Sequence, residues 1–178
     1  AGQDGQVLRW DVETGTATVL LSFEHHCKSI AVSPDSAMIA LAVQDDIVLS
    51  PLDQPSPTTR LQGHQNSADC LAFSPDGQRL ASVLIDPISL NWDVWIHDLD
   101  RDLRWRLTFD SPARLAGLVW APDSRRLATA SNKGLYLWRL DEEGSGHSEP
   151  MQLLSFPGAP VSVAWEPRGR ALAVGTQD

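Results

Sequence analysis

The sequence predicts an all-β chain made of repeated four-stranded antiparallel units. Three observations carry this. A proline-centred turn recurs four times, its copies are spaced in the forties, and the runs beside it are short and apolar without a helical period. The turns are Ser33-Pro34-Asp35-Ser36, Ser74-Pro75-Asp76-Gly77, Ala121-Pro122-Asp123-Ser124 and Glu166-Pro167-Arg168-Gly169. Their prolines stand 41, 47 and 45 residues apart. A period of that size marks a repeat architecture, in which each unit buries its faces only against its neighbours.

The turn residues have separate reasons. Proline presets φ at the second position, Asp at the third caps the turn locally, and Gly at the fourth takes a positive φ. Two copies place Ser at that fourth position, at a modest backbone cost. Before the turns run Ser29–Val32, Cys70–Phe73, Gly117–Trp120 and Val161–Trp165. After them run Met38–Val43, Arg79–Val83, Arg126–Ala130 and Ala171–Val174. Small residues crowd the second set, which predicts close packing of one sheet on the next. A second hairpin follows each of the first three turns, closed by Gln44-Asp45-Asp46 in one copy and by Asn132-Lys133-Gly134, good tight-turn chemistry, in another.

The pairs Trp10-Asp11 and Gly63-His64, the Ser-Pro-Asp-Gly turns and Leu137-Trp138-Arg139, set on this spacing, make the chain resemble the WD-repeat β-propellers. The resemblance covers nearly the whole chain. It implies a β-propeller of four-stranded antiparallel blades, about four blades' worth, with the Trp-Asp pair ending the fourth strand of each. Residues 1–178 are read as a single propeller segment, with blades roughly at 1–16 (partial), 17–54, 60–101, 105–141 and 150–178 (partial). It also implies a hydrogen-bond network within each blade. The positions matching its members are Trp10, Asp11, His64, Ser82, Asp98, Thr129 and Trp138. Ser50-Pro51 and His97-Asp98 stand where two Trp-Asp pairs are expected, so no uniform network carries over.

The ends are complementary in pattern. Residues 1–14 read as the tail of a blade and 161–178 as the first two strands of another. Either the N-terminal strand completes the last blade, or the chain, which opens on Ala1, is a segment of a larger propeller; the segment reading is the one adopted. A ring completed by oligomerisation is a third possibility.

Composition excludes several classes. A net charge of −9, with 14 Lys and Arg against 23 Asp and Glu, opposes nucleic acid and anionic membrane as partners. A chain of 178 residues buries about 70% of its unfolded surface, so its core needs neither disulfide nor metal. Cys27 and Cys70 are too few for a disulfide framework, no signal segment opens the chain, and a cytoplasmic setting is expected.

Candidate chemistry is thin. Gly144-Ser145-Gly146-His147-Ser148 lacks the strand-turn-helix setting of a nucleophile elbow. Asp98, Asp100 and Asp102 alternate as in a calcium loop, but Leu103 and Phe109 occupy the positions that need Gly and Glu. His25-His26-Cys27 has soft ligands that an extended backbone turns to opposite sides. The sequence therefore predicts no enzyme activity, no metal and no cofactor. The apolar stretch from Leu84 to Asp93 lengthens one b–c connection, which the resemblance places on a partner-binding face. Ile85, Ile88 and Trp92 are candidate contacts for a protein, and Trp105 between blades is another; longer strands with Trp92 packed on the next blade are the alternative. Trp120 and Trp165 are expected in the core between sheets.

The resemblance implies a non-catalytic protein-interaction scaffold or sensor module, part of a larger multidomain signalling protein. Its partners would be proteins or peptides, including other domains of the same chain. A propeller accessory to a peptidase or periplasmic enzyme is the rival, from the flavour of Arg106–Asp110 and Trp120–Asp123.

Overall fold

Alternating side chains and tight turns leave this chain one way to bury its apolar residues: short antiparallel sheets stacked face to face. The computed structural model describes residues 4–53, 58–61, 68–85, 91–107, 109, 114–140, 150–155 and 158–177. The chain folds into five sheets in sequence order. Sheet I pairs β1 (Gln6–Trp10) with β2 (Ala17–Ser22). Sheet II is β3 (Cys27–Val32), β4 (Met38–Val43), β5 (Asp46–Pro51) and β6 (Thr59–Leu61). Sheet III is β7 (Ala68–Phe73), β8 (Arg79–Ile85), β9 (Trp92–Asp98) and β10 (Leu103–Leu107). Sheet IV is β11 (Leu115–Trp120), β12 (Arg126–Ser131), β13 (Gly134–Arg139) and β14 (Pro150–Leu154). Sheet V pairs β15 (Ala159–Trp165) with β16 (Leu172–Gln177). Each sheet meanders in chain order, as in a propeller blade.

The four turns adopt the expected conformation. Their fourth residues Ser36, Gly77, Ser124 and Gly169 have φ of 59°, 75°, 58° and 67°. In each, the fourth residue's N–H donates to the carbonyl of the first, at 2.8–3.0 Å. A feature the pattern did not announce is a register shift at the same place in all four first hairpins: Cys27/Ser29, Ala68/Cys70, Leu115/Gly117 and Pro160/Ser162. Such a bulge increases local twist, and repeating it keeps successive sheets alike.

Between the sheets lie four apolar clusters. Ala40 and Ala42 of sheet II pack on sheet III, Ala81 and Val83 of III on IV, and Ala128 and Ala130 of IV on V. Small side chains here let the sheets approach closely. Trp120 and Trp165 are clamps as well as filling: each donates its indole N–H to the preceding sheet, to the carbonyls of Ala72 (3.0 Å) and Val119 (3.2 Å). Arg126 ties IV to V, donating to the Gly169 carbonyl at 2.9 Å and lying over the Trp165 ring.

One expectation is corrected. The Trp-Asp position ends the third strand, not the fourth: Trp10 closes β1, Ser50-Pro51 closes β5, His97-Asp98 closes β9 and Trp138 lies in β13. The fourth strand comes after it and is hydrogen-bonded to it. Each sheet thus ends one strand later than the boundaries read from the sequence, and β2, β6, β10 and β14 complete the sheet before them. Sequence repeat and sheet are offset because a strand pairs with the edge nearest in space.

Candidate functional site

The hydrogen-bond network expected within blades is graded from copy to copy. In sheet IV the Trp138 indole N–H donates to Thr129 Oγ1 at 2.9 Å, with both residues fully buried. At the same rung of sheet III, His97 Nε2 and Ser82 Oγ lie 3.5 Å apart, both buried. In sheet II the rung holds Ser50, whose hydroxyl turns to the Pro51 carbonyl at 3.4 Å, and Leu41 stands where the others have Thr or Ser. Asp98 closes its turn by accepting the N–H groups of Asp100 and Arg101. Asp11 does the same for Thr14, and that bond holds its carboxyl below the ordinary carboxylate range. Trp10 is 64% exposed, and His64 lies outside the described residues.

Aligning the sheets by register explains an opening beside His97. The residues Trp138, His97 and Ser50 pair with Leu127, Leu80 and Ile39, so they occupy one equivalent position. Trp105 pairs with Ile96 and Thr59 with Leu49, which makes Trp105 and Thr59 equivalent too. Between sheets III and IV this puts two indoles, Trp105 and Trp138, into one cluster with Leu107 and Leu127. Phe109 meets Tyr136 and Trp138 edge-on there, at 4.9 and 5.0 Å between centroids. Between sheets II and III the same two positions hold Thr59 and His97. Both line a groove of about 900 Å³.

The floor of the groove is apolar, with Met38, Leu49, Leu61, Phe73 and Leu99, and Leu103 stands half-exposed at its edge. Its rim is charged with both signs. Arg60 lies there, bonded to Asp46 at 2.6 Å, and so does Arg104, set over the Trp95 ring. Asp35 lines the groove too; it accepts from the Ser33 hydroxyl and the Ala37 N–H and titrates below the ordinary range for that reason. An apolar floor with a few polar groups at the rim orients and buries a side chain. Among the described residues no three His, Cys, Asp or Glu converge as a metal site.

The sequence-selected contacts fall elsewhere. Ile85 and Trp92 face each other across an added rung at the far end of β8 and β9, both half-buried, and Trp92 packs against the III/IV cluster. Trp105 is a core residue, 7% exposed, with Arg79 over its ring; β10 turns it into the gap instead of toward solvent. Ile88 lies outside the described residues. Thr59 was not singled out from the sequence. Its signal is the absence of an aromatic at the Trp105 position, visible only once the registers align.

Comparison with known proteins agrees with this architecture. The model of the WD domain, G-beta repeat, matches residues 55–93, which run from before β6 into β9. Protein groucho of Drosophila melanogaster is 30% identical over 131 residues, 71% of this chain and 17% of that protein. Transcription factor unc-37 of Caenorhabditis elegans is 32% identical over 95 residues, 52% of this chain and 16% of that protein. The human intraflagellar transport protein 122 homolog is 24% identical over 153 residues, 85% of this chain and 11% of that protein. The chain thus spans a minor part of the length of each.

Proposed function

Because the chain is a stretch of WD40-repeat β-propeller, we propose that it serves as a non-catalytic protein-interaction scaffold, its docking position being the groove between sheets II and III. The observation that carries this reading is the pair Thr59 and His97. They line an apolar opening at the two positions where the neighbouring gap is filled by Trp105 and Trp138. The ligand class that fits is an extended peptide presenting one large aromatic or branched apolar side chain, with its backbone along the charged rim. The net charge of −9 favours protein over nucleic acid as the partner. No helix among the described residues is long and apolar enough to cross a membrane. Burial pushes the thiols of Cys27 and Cys70 upward in pKa, and both are free cysteines, the state that a reducing, cytoplasmic setting would maintain.

The test is selection of a peptide library on the whole chain, followed by binding measurements on variants. The expected peptides carry a bulky apolar anchor, and Thr59→Trp, which occupies the groove, weakens them at least ~10-fold, about 1.4 kcal/mol. Ile85→Asp, at the opposite strand ends, leaves them unchanged. Loss with Ile85→Asp and none with Thr59→Trp would move the docking surface to the β8–β9 hairpin. A library that yields no saturable binder refutes the scaffold reading.

A further inference from the structure

The groove between sheets II and III lacks an arginine that sheets III and IV carry, as well as the two indoles of the neighbouring gap. Met38, Arg79 and Arg126 occupy one equivalent position. They pair with Pro51, Asp98 and Arg139, the residues that follow Ser50, His97 and Trp138. In sheet IV, Arg126 holds the turn residue Asp123 at 2.7 Å. In sheet III, Arg79 lies over the Trp105 ring, 5.7 Å from its centroid, so a guanidinium stacks on an indole there. In sheet II the position holds Met38, part of the apolar floor.

Asp35, the turn residue equivalent to Asp123, is therefore left with hydroxyl and amide donors and no cation. It is exposed and lines the groove, and Asp102, in the turn between β9 and β10, does the same. Among the described residues neither is ion-paired. Asp98 is occupied in closing its own turn. The arginines of the groove are engaged elsewhere: Arg60 with Asp46, and Arg104 over Trp95, two residues farther from the turn than His97. In a four-stranded meander the first and third connections share one end, so the uncompensated negative charge is gathered at the turn end of the groove.

We infer that the groove takes a segment of a partner protein carrying an aromatic side chain and, two residues from it, an arginine or lysine. The aromatic side chain anchors between Thr59 and His97, and the cation meets Asp35 and Asp102. The segment thus brings to this gap the indole and guanidinium that Trp105 and Arg79 bring to the next one. The spacing follows from extended geometry. Arg104 pairs with His97, and Asp102 precedes Arg104 by two residues, about 7 Å. Residues i and i+2 of an extended peptide point the same way across that distance. An acidic residue at the second position is disfavoured by both carboxylates. This inference rests on the groove being the docking site.

Fluorescence anisotropy of the whole chain with labelled peptides tests it. The probes are Gly-Ser-Trp-Ser-Arg-Ser-Gly, the same peptide with Trp and Arg exchanged, and versions with Glu for Arg or Ala for Trp. In one of the two orders the Arg peptide should bind at least ~5-fold tighter than its Glu counterpart at low salt, and the difference should shrink in high salt. Asp35→Asn combined with Asp102→Asn keeps the turn acceptor and a residue type that tolerates the φ of 53° at position 102. It should erase the Arg-over-Glu difference and keep the preference for Trp over Ala. Met38→Arg, which gives Asp35 the cation that Asp123 has, should erase the same difference. Equal binding of Arg and Glu peptides, or a difference that survives these variants, overturns the inference, while a Trp-over-Ala preference lost in Thr59→Trp upholds the groove. Absence of that preference, or of any saturable binding, overturns both.

Discussion

The gaps between sheets II and III and between sheets III and IV are built from equivalent strands in equivalent register, yet one is filled and the other open in its outer part. In the III/IV gap, Trp105, Trp138, Tyr136 and Phe109 pack together, and Thr129 accepts the buried Trp138 indole N–H within sheet IV. In the II/III gap, alanines and aliphatics fill the inner part, and Thr59 and His97 leave the outer part as a groove. Sheets that fan outward leave a wedge, so the outer strands need the larger side chains. Two such losses turn a structural gap into a place that can receive a ligand. The hydrogen-bonded tryptophan of sheet IV therefore supports stability, and its replacement in sheet III creates the opening.

Breaking the filled gap should have the largest effect. Trp138→Ala removes a fully buried indole and leaves Thr129 without its donor. A loss of about 3–5 kcal/mol is expected in urea unfolding. His97→Ala, at the equivalent position, should lose less than half as much, because its wall already faces the groove. Equal losses would mean that the two gaps are equally packed. Trp105→Ala should come next, at about 3 kcal/mol, while Thr59→Ala stays within ~0.5 kcal/mol.

Filling the open gap sharpens the comparison from the other side. Thr59→Trp should raise stability by about 1 kcal/mol, as cavity-filling changes commonly do, and raise Tm by a few degrees. A lower Tm would show that the groove cannot take an indole.

The smallest effects belong to the turns. Ser36 and Ser124 both adopt positive φ, but only the Ser124 hydroxyl has an inter-sheet role, accepting the Asp76 N–H at 3.0 Å. Ser36→Gly should therefore stabilise by about 0.5–1 kcal/mol, and Ser124→Gly by less than half of that. In acid, Asp35 titrates below its ordinary 3.8 because the Ser33 hydroxyl and Ala37 N–H stabilise its charge. A depressed folded-state value contributes stability that is complete above the ordinary value and is lost as pH falls through the depressed one. Carboxyl chemical shifts of Asp35 should show its midpoint below 3.8; a midpoint at or above that value contradicts the turn geometry.

Much of the fold was legible because its signals are local. Pro34, Pro75, Pro122 and Pro167 mark turns whose conformation depends on four residues, and alternation of small and large side chains marks the strands beside them. The fourth strand was misplaced because Trp10-Asp11 looks like an ending, although β2 pairs with β1 after it. Nothing in the residues of β2 says which edge it joins. Of the candidate contacts, Trp105 was assigned to a surface because an aromatic between repeats looks free until the neighbouring sheet is set against it. Thr59 was passed over because a small polar residue draws notice only against the indole that fills the equivalent position.

The sequence by itself determined the repeat, the turns, the all-β class and the alanine faces, since each follows from backbone preference or side-chain size over a few residues. Only the tertiary structure decided which strands complete which sheet and which gaps are full. Those depend on residues tens of positions apart meeting across a gap, where the missing volume of one side chain is measured by what its neighbour does not reach.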